Sequence, residues 1–329
     1  MNFRTKIKIE QPNFDINHQT HLMSIGSCFS NNIGDKLFEN KFHISINPFG
    51  VLYNPASISS VLKRILSAKP FSKDELVKHD NLFQSFMHHS SFSSANEEEC
   101  LNKINNSFSN AIQSLQQTDI LLITFGTAYI YRLKTNGEVV ANCHKFPAVT
   151  FTRHRLTVDE IVEDWTEIVE LLQSINPLVK IIFTVSPIRH WKDGAHENQI
   201  SKSILHIAID ELQRIYDRQI YYFPAYEILI DELRDYRFYD NDMMHPAPIA
   251  VEYIWTKFNE TYFDNHTTGI IKQCQQINRA VNHRPHNINN EKYITFVKQT
   301  INQIKQLQLK YPYINFDNEI NSLLEKTKA

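Results

Sequence analysis

The chain has 329 residues, 34 Lys and Arg against 36 Asp and Glu, and a formal net charge of -2. That length can bury a large core, either as about two domains or as one α/β domain with an extension. The charge balance offers no basic surface for nucleic acid and no charged tail, and no run approaches the ~18 apolar residues of a membrane span.

Residues 1–20 read as an irregular lead-in. Its start is polar and interrupted by Arg4, Lys6, Lys8 and Glu10, so it does not read as a signal peptide. A strand is expected over Leu22 to Ile25, then a helix with Ile33, Leu37 and Phe38 on one face. Phe42 to Ile46 alternates as a half-buried strand does and ends in the turn cluster Asn47-Pro48-Phe49-Gly50. Pro55 to Leu66 carries a helical stripe. Residues 67–100 have no strong period and read as an excursion that forms part of a pocket wall. A helix over Glu97 to Leu115 leads to Ile120–Phe125, an apolar run suited to a parallel strand covered on both faces. Tyr129–Leu133 and Glu138–Asn142 flank Asn136-Gly137, a hairpin signal. Thr157-x-x-Glu160 is a capping box before a helix to Ile175. Lys180–Val185 reads as a strand, Gln199–Tyr216 as a helix, Ile220–Phe223 as a short strand, and a helix follows His245. From about residue 270 the chain is polar and helical. The alternation of strands and helices implies a three-layer α/β/α sandwich with a mostly parallel sheet and right-handed crossovers.

Four widely spaced cysteines, Cys28, Cys100, Cys143 and Cys274, form no CxxC pair. They fit free thiols in a reducing cytoplasm, where the protein is expected to act. Glycine is scarce, with seven in all. Gly26, Gly50 and Gly126 lie at or just past the ends of strand-like runs, where tight turns or close ligand approach need them.

The corner Ile25-Gly26-Ser27-Cys28-Phe29-Ser30 puts a hydroxyl and a thiol between a strand and a helix. Parallel α/β sheets bind ligands beyond the carboxyl ends of their strands. The corner is thus a candidate site, although Ser27 also suits a helix cap and Cys28 a small core residue. Asp242-Met243-Met244-His245 is the second strong feature. An acid three residues before a His can accept from its Nδ1–H and leave Nε2 as general base; the same pattern also serves surface capping. Asn142-Cys143-His144-Lys145 reads as a substrate-contacting loop or as the end of an edge strand. Arg189-His190, with Asp193 and Lys202 nearby, reads as pocket lining or as a surface charge cluster. No HExxH, zinc-finger spacing, GxGxxG or P-loop occurs, so no metal or cofactor is expected.

Gly26-Ser27-Cys28-Phe29-Ser30 resembles the signature of the GSCFA domain family, a branch of the SGNH/GDSL hydrolase superfamily. The resemblance extends through Asn47–Pro55, Phe125–Tyr129, Asn142–Lys145, Thr184–His190 and Arg234–His245, and so over most of residues 20–265. It implies an SGNH/flavodoxin-like domain over 1–265 and a helical extension over 266–329. The superfamily's first block is Gly-Asp-Ser with a nucleophilic Ser. Laid on this chain without a gap, it implies Cys28 as the nucleophile, a workable replacement because thiolates attack well; Ser27 takes that role if the turn is displaced by one residue. The resemblance implies Asp242 and His245 as the acid–base pair. It implies an oxyanion hole from the Cys28 amide, Gly50 and the block that begins at Gly126. In that last block Ala128 stands where the superfamily has an Asn donor, and Asn47, Asn54 or Asn142 are the candidates to replace it. Asn47, Asn54, Asn142, His144, Lys145, Arg189 and His190 are the expected substrate contacts. The expected activity is ester hydrolysis or acyl transfer on a small-molecule or carbohydrate ester, acetylated carbohydrates among them. The alternative is a carbohydrate- or metabolite-binding protein that keeps the pocket without catalysis.

Overall fold

The apolar run before Gly26 forms β1 (His21–Gly26), with all but its first residue buried. It is the second strand of a five-stranded parallel sheet in the computed structural model, which describes residues 4–283 and 291–326. Parts of the expected lead-in and C-terminal extension, at 1–3, 284–290 and 327–329, lie outside those residues.

After β1 come α1 (Cys28–Glu39), β2 (His43–Ile46) and α2 (Pro55–Ser67). The excursion holds a small hairpin, β3 (Val77–His79) and β4 (Leu82–Gln84), and then α3 (Glu97–Gln117) leads to β5 (Ile120–Phe125). A second antiparallel unit follows, β6 (Tyr129–Leu133), β7 (Val139–Val140) and β8 (Phe151–Arg155), in the order β7-β6-β8. The chain returns to the main sheet through α4 (Val158–Ile175), β9 (Lys180–Val185), α5 (Gly194–Ile215) and β10 (Ile220–Tyr222). A short α6 (Ala225–Glu227) runs into a wide turn over Ile228–Glu232, and α7 (Pro248–Tyr262) completes the layers. Helices α8 (Asn265–Asn282), α9 (Glu291–Lys310) and α10 (Asp317–Lys326) close the chain.

The main sheet has the order β10-β9-β5-β1-β2, and every pair in it is parallel. Successive strand residues face opposite sides, which builds two cores. Met23, Ile25, Leu121, Ile123 and Phe183 pack with α2, α3, α4 and α5 on one face. Leu22, Ile120, Leu122 and Ile182 pack with α1 and α7 on the other. Helices α8, α9 and α10 share a third cluster around Ile270, Cys274, Val297, Ile304 and Phe316. Asn278 also donates to the Glu39 carbonyl at 2.8 Å, and Lys41 pairs with Glu319 at 2.5 Å. Both ties fall at the carboxyl end of α1, away from Cys28.

Three expectations shift. The hairpin arm expected over Glu138–Asn142 is a strand only at Val139–Val140. Strand β8 was not expected, because Thr152, Arg153 and His154 are exposed in succession and leave no apolar alternation. Helix α5 begins at Gly194, ahead of Gln199; its first turn is too polar to carry a helical stripe.

Taken in chain order the main strands run 2-1-3-4-5 across the sheet. In that arrangement the crossovers leave to opposite faces on either side of the first and third strands, and a crevice opens at their carboxyl ends. Here that place lies between β1 and β5, and it carries Gly26-Ser27-Cys28 on one side and Gly126-Thr127 on the other.

Candidate active site

Gly26 is required where it stands. A Cβ there would lie 2.4 Å from the Thr124 carbonyl oxygen of β5. The tight passage turns the chain directly into α1, and Ser27 becomes its N-cap. The Ser27 hydroxyl accepts from the Phe29 amide at 3.3 Å and is almost fully buried. Cys28 is the first residue of the helix and is half-buried, with its Sγ 3.6 Å from the Tyr53 hydroxyl. Its amide belongs to the first turn, whose N–H groups have no partner inside a helix.

The segment 47–54 bridges the crevice. Asn47 accepts from the Gly26 amide at 2.8 Å and donates to Asn31 at 2.5 Å. The Leu52 amide donates to the Gly26 carbonyl at 2.9 Å. The Tyr53 carbonyl accepts from the Gly126 and Thr127 amides at 2.8 and 2.9 Å. Asn54 caps α2 through the Ser57 amide at 2.7 Å. Tyr53 is thereby locked beside Cys28. Its hydroxyl is raised well above its ordinary value, mostly by burial and further by the hydrogen bond to the thiol, so it keeps its proton at neutral pH.

Asp242 and His245 meet as their spacing suggests. The Asp242 carboxylate contacts the His245 Nδ1 at 2.5 Å and accepts from the Met244 and His245 amides at 2.8 and 2.9 Å. Those two amides, the His245 amide first, and then the imidazole hold the Asp242 carboxyl down to about 2. With Nδ1 turned to Asp242, Nε2 is left for other work.

Cys28, Ser27 and His245 line one cavity of about 510 Å³, together with Tyr53, Asn54, Asn142, Arg189 and His190. His190 stacks edge-on against Tyr53 with ring centroids 5.7 Å apart, and its buried Nε2 has no hydrogen-bond partner among the described residues. Burial, with Lys202 and His245 nearby, pushes its imidazole down to about 3. It is therefore neutral at pH 7. Lys202 is fully buried and donates to the Gly126 and Ser186 carbonyls at 2.7 and 2.8 Å. Burial, with Arg189 beside it, lowers its ammonium to about 7.

Several expected contacts lie elsewhere. The Gly50 amide donates to the Asn47 carbonyl at 2.7 Å within its own turn, and the Gly126 amide is held by Tyr53. Neither glycine lines the cavity, so neither has an N–H to offer an oxyanion. Asn47 is consumed by Gly26 and Asn31 and does not line it either. His144 is buried and bonds the Ser85 carbonyl at 2.8 Å, which holds its loop; Lys145 is exposed outside the cavity. Lys202 lies beneath the lining rather than in it. Ala128 is wholly buried, and its amide donates to the Ser201 hydroxyl at 2.7 Å.

The structure adds residues that sequence reasoning passed over: Tyr53, Thr127, Tyr131, Arg153 and Trp191. Tyr53 lies inside the Asn47–Pro55 stretch already singled out, but only the fold shows that its ring turns to Cys28. Arg153 comes from the unexpected β8 and sits over the Tyr129 ring at 3.8 Å while pairing with Asp193. Among the described residues no group of three His, Cys, Asp or Glu side chains is placed to hold a metal ion, and no helix is long and apolar enough to cross a membrane.

This arrangement sets a thiol at a helix start and an imidazole oriented by a carboxylate on the walls of one cavity. Such a set can support covalent transfer of an acyl group. Among solved structures, the chain is similar to an acetyl xylan esterase from the rumen bacterium Butyrivibrio proteoclasticus, at 11% identity over 74% of this chain and 63% of that one, with a TM-score of 0.36. It is also similar to a carbohydrate esterase of family 3 from Talaromyces cellulolyticus, at 9% identity over 77% and 98% of the two chains and a TM-score of 0.36. A family 3 carbohydrate esterase of Clostridium thermocellum gives 10% identity, coverage of 76% and 96%, and a TM-score of 0.31. No curated protein matches the chain. The model of the GSCFA family matches residues 21–258, and that of the GSCFA domain protein, C-terminal domain, matches residues 274–329. The chain belongs to the GSCFA family.

Proposed function

We propose that the chain is an acyl-ester hydrolase with a thiol nucleophile, and that acetylated carbohydrates are the substrates to test first. The observation that carries this reading is that Cys28 and His245 line the same cavity while Asp242 holds the far side of the imidazole. In the proposed reaction Cys28 Sγ attacks the ester carbonyl and its proton passes to His245 Nε2. The tetrahedral intermediate collapses, His245 gives the proton to the leaving alcohol, and a thioester remains on Cys28. Water then attacks that thioester as His245 takes its proton. The carboxylic acid departs and the proton returns to the sulfur.

The intermediate needs oxyanion donors. With the Gly50 and Gly126 amides engaged, we assign the Cys28 amide and the Tyr53 hydroxyl, with the Asn54 amide group as a third contact. Tyr53 supplies what an alanine at 128 cannot.

The same engagement of Gly50 and Gly126 favours a second reading, a binding protein without turnover. A screen of short aryl esters and acetylated sugars separates the two. The hydrolase reading expects release of acid by the parent protein, loss of release in Cys28→Ala and His245→Ala, and an acyl mass on the Cys28 peptide after acid quench. Equal release by all three proteins would sink the mechanism. An acyl mass on Ser27 would move the nucleophile by one residue.

A further inference from the structure

A second cavity, of about 490 Å³, adjoins the first, with Arg189, Trp191 and Met244 in the walls of both. Its other walls include Arg234, Tyr236, Tyr239 and Asp235. The charges around it divide clearly. Arg234 is paired with Asp231 at 2.9 Å. Asp235 faces Arg237 at 3.7 Å and also caps the Arg237 amide. Asp242 is taken by His245. Arg189 alone has no carboxylate and no hydrogen-bond partner among the described residues, and its Nε is buried. Lys202, close behind it, is also without a carboxylate among the described residues and donates to two carbonyl groups. An uncompensated guanidinium at the junction of two cavities is an anion site, because its fixed fork matches two oxygens of one carboxylate.

The rim supplies the rest of the recognition. Trp191 is 50% exposed and Tyr236 77% exposed, and Tyr239 lies 6.3 Å from Tyr236 between ring centroids. Large rings left in water at a cavity mouth offer flat apolar faces to a ligand ring while their polar atoms stay wet.

We propose that this second cavity is a subsite for a carboxylate-bearing sugar ring, held by Arg189 and stacked on Trp191 and Tyr236, so that the ester delivered to Cys28 belongs to an acidic saccharide. The assignment of that sugar as part of the substrate rests on the hydrolase reading; the binding of the sugar acid does not. The test is therefore a binding measurement. D-glucuronate and D-glucose are titrated calorimetrically into the parent, Arg189→Gln, Arg189→Lys and Lys69→Gln, the last removing one exposed cation that lines neither cavity.

We expect glucuronate to bind the parent and Lys69→Gln alike, and to bind Arg189→Gln about tenfold more weakly or worse, as loss of a charge-assisted contact requires. Arg189→Lys should fall between. Glucose should bind more weakly than glucuronate to the parent and about equally to the parent and Arg189→Gln. Unchanged glucuronate affinity in Arg189→Gln, with circular dichroism matching the parent, would overturn the subsite. So would glucose binding as tight as glucuronate, or inorganic phosphate displacing glucuronate at lower concentration than glucuronate itself requires. Arg189-dependent binding in a protein that cleaves no ester would uphold the subsite and overturn the hydrolase.

Discussion

Ser27 and Cys28 are neighbours with different surroundings. Both line the cavity, but the Ser27 hydroxyl is almost fully buried and accepts from the Phe29 amide, whereas the half-buried Cys28 sulfur meets Tyr53. On the hydrolase reading Ser27→Ala should therefore keep ester hydrolysis, and it should lose about 1 kcal/mol of stability, the usual effect of deleting a helix cap, read from urea unfolding. Cys28→Ala should keep stability and lose hydrolysis. If Tyr53 is the oxyanion donor, Tyr53→Phe should lower kcat by roughly 10²-fold with little change in KM. A KM effect alone would return Tyr53 to simple binding. The sequence displayed the thiol, the acid and the imidazole, because each sits in a short motif. It could not display Tyr53 as a neighbour of the thiol, since that depends on a contact made across many residues of chain. Nor could it display that the Gly50 and Gly126 amides are engaged: a glycine in a familiar position says nothing about which carbonyl its amide already serves.

At the level of elements, the switch between β1 and β5 depends on close approach at Gly26. Gly26→Ala would push a methyl group to 2.4 Å from a carbonyl oxygen of the neighbouring strand. We expect a loss of at least about 2 kcal/mol, measured by urea unfolding, together with loss of hydrolysis as Cys28 shifts. Stability within a few tenths of a kcal/mol of the parent would show that the strand gap relaxes freely. The main strands and most helices were legible because buried parallel strands are continuous apolar runs and their helices carry regular stripes. Strand β8 was not legible. Thr152, Arg153 and His154 are exposed in succession on both of its faces, and it exists through its pairing with β6. That hidden element delivers Arg153 to the cavity wall.

On the scale of the whole molecule, Lys202 joins the ends of β5 and β9 through two carbonyls at the base of the site. Its ammonium falls from the ordinary 10.5 to about 7 in the folded protein. The unfolded chain therefore holds more protons between about pH 7 and 10.5, and stability should rise with pH across that window, by up to about 1.4 kcal/mol per unit. Below about pH 7 both states are protonated and this contribution is flat. Lys202→Met should remove the slope, as a series of urea midpoints from pH 6 to 10 would reveal; an identical slope in both proteins would assign it to other groups. The overall layering could be anticipated from the alternation of strands and helices, but a buried lysine between two strand ends could not, because nothing local distinguishes Lys202 from a surface lysine on a helix. A last consequence follows from the turn at residues 242–245. Among the described residues the hydrogen bond that aims the imidazole of His245 comes from Asp242, three residues away, and the Asp242 carboxylate is itself pinned by amides of the same turn. On the hydrolase reading the pair is a preassembled cassette: a displacement of the turn as one piece would change its gap to the sulfur and keep its internal alignment. In that reading, whatever leans on that turn would act like a relay contact, setting how often the circuit closes without altering the chemistry when it does.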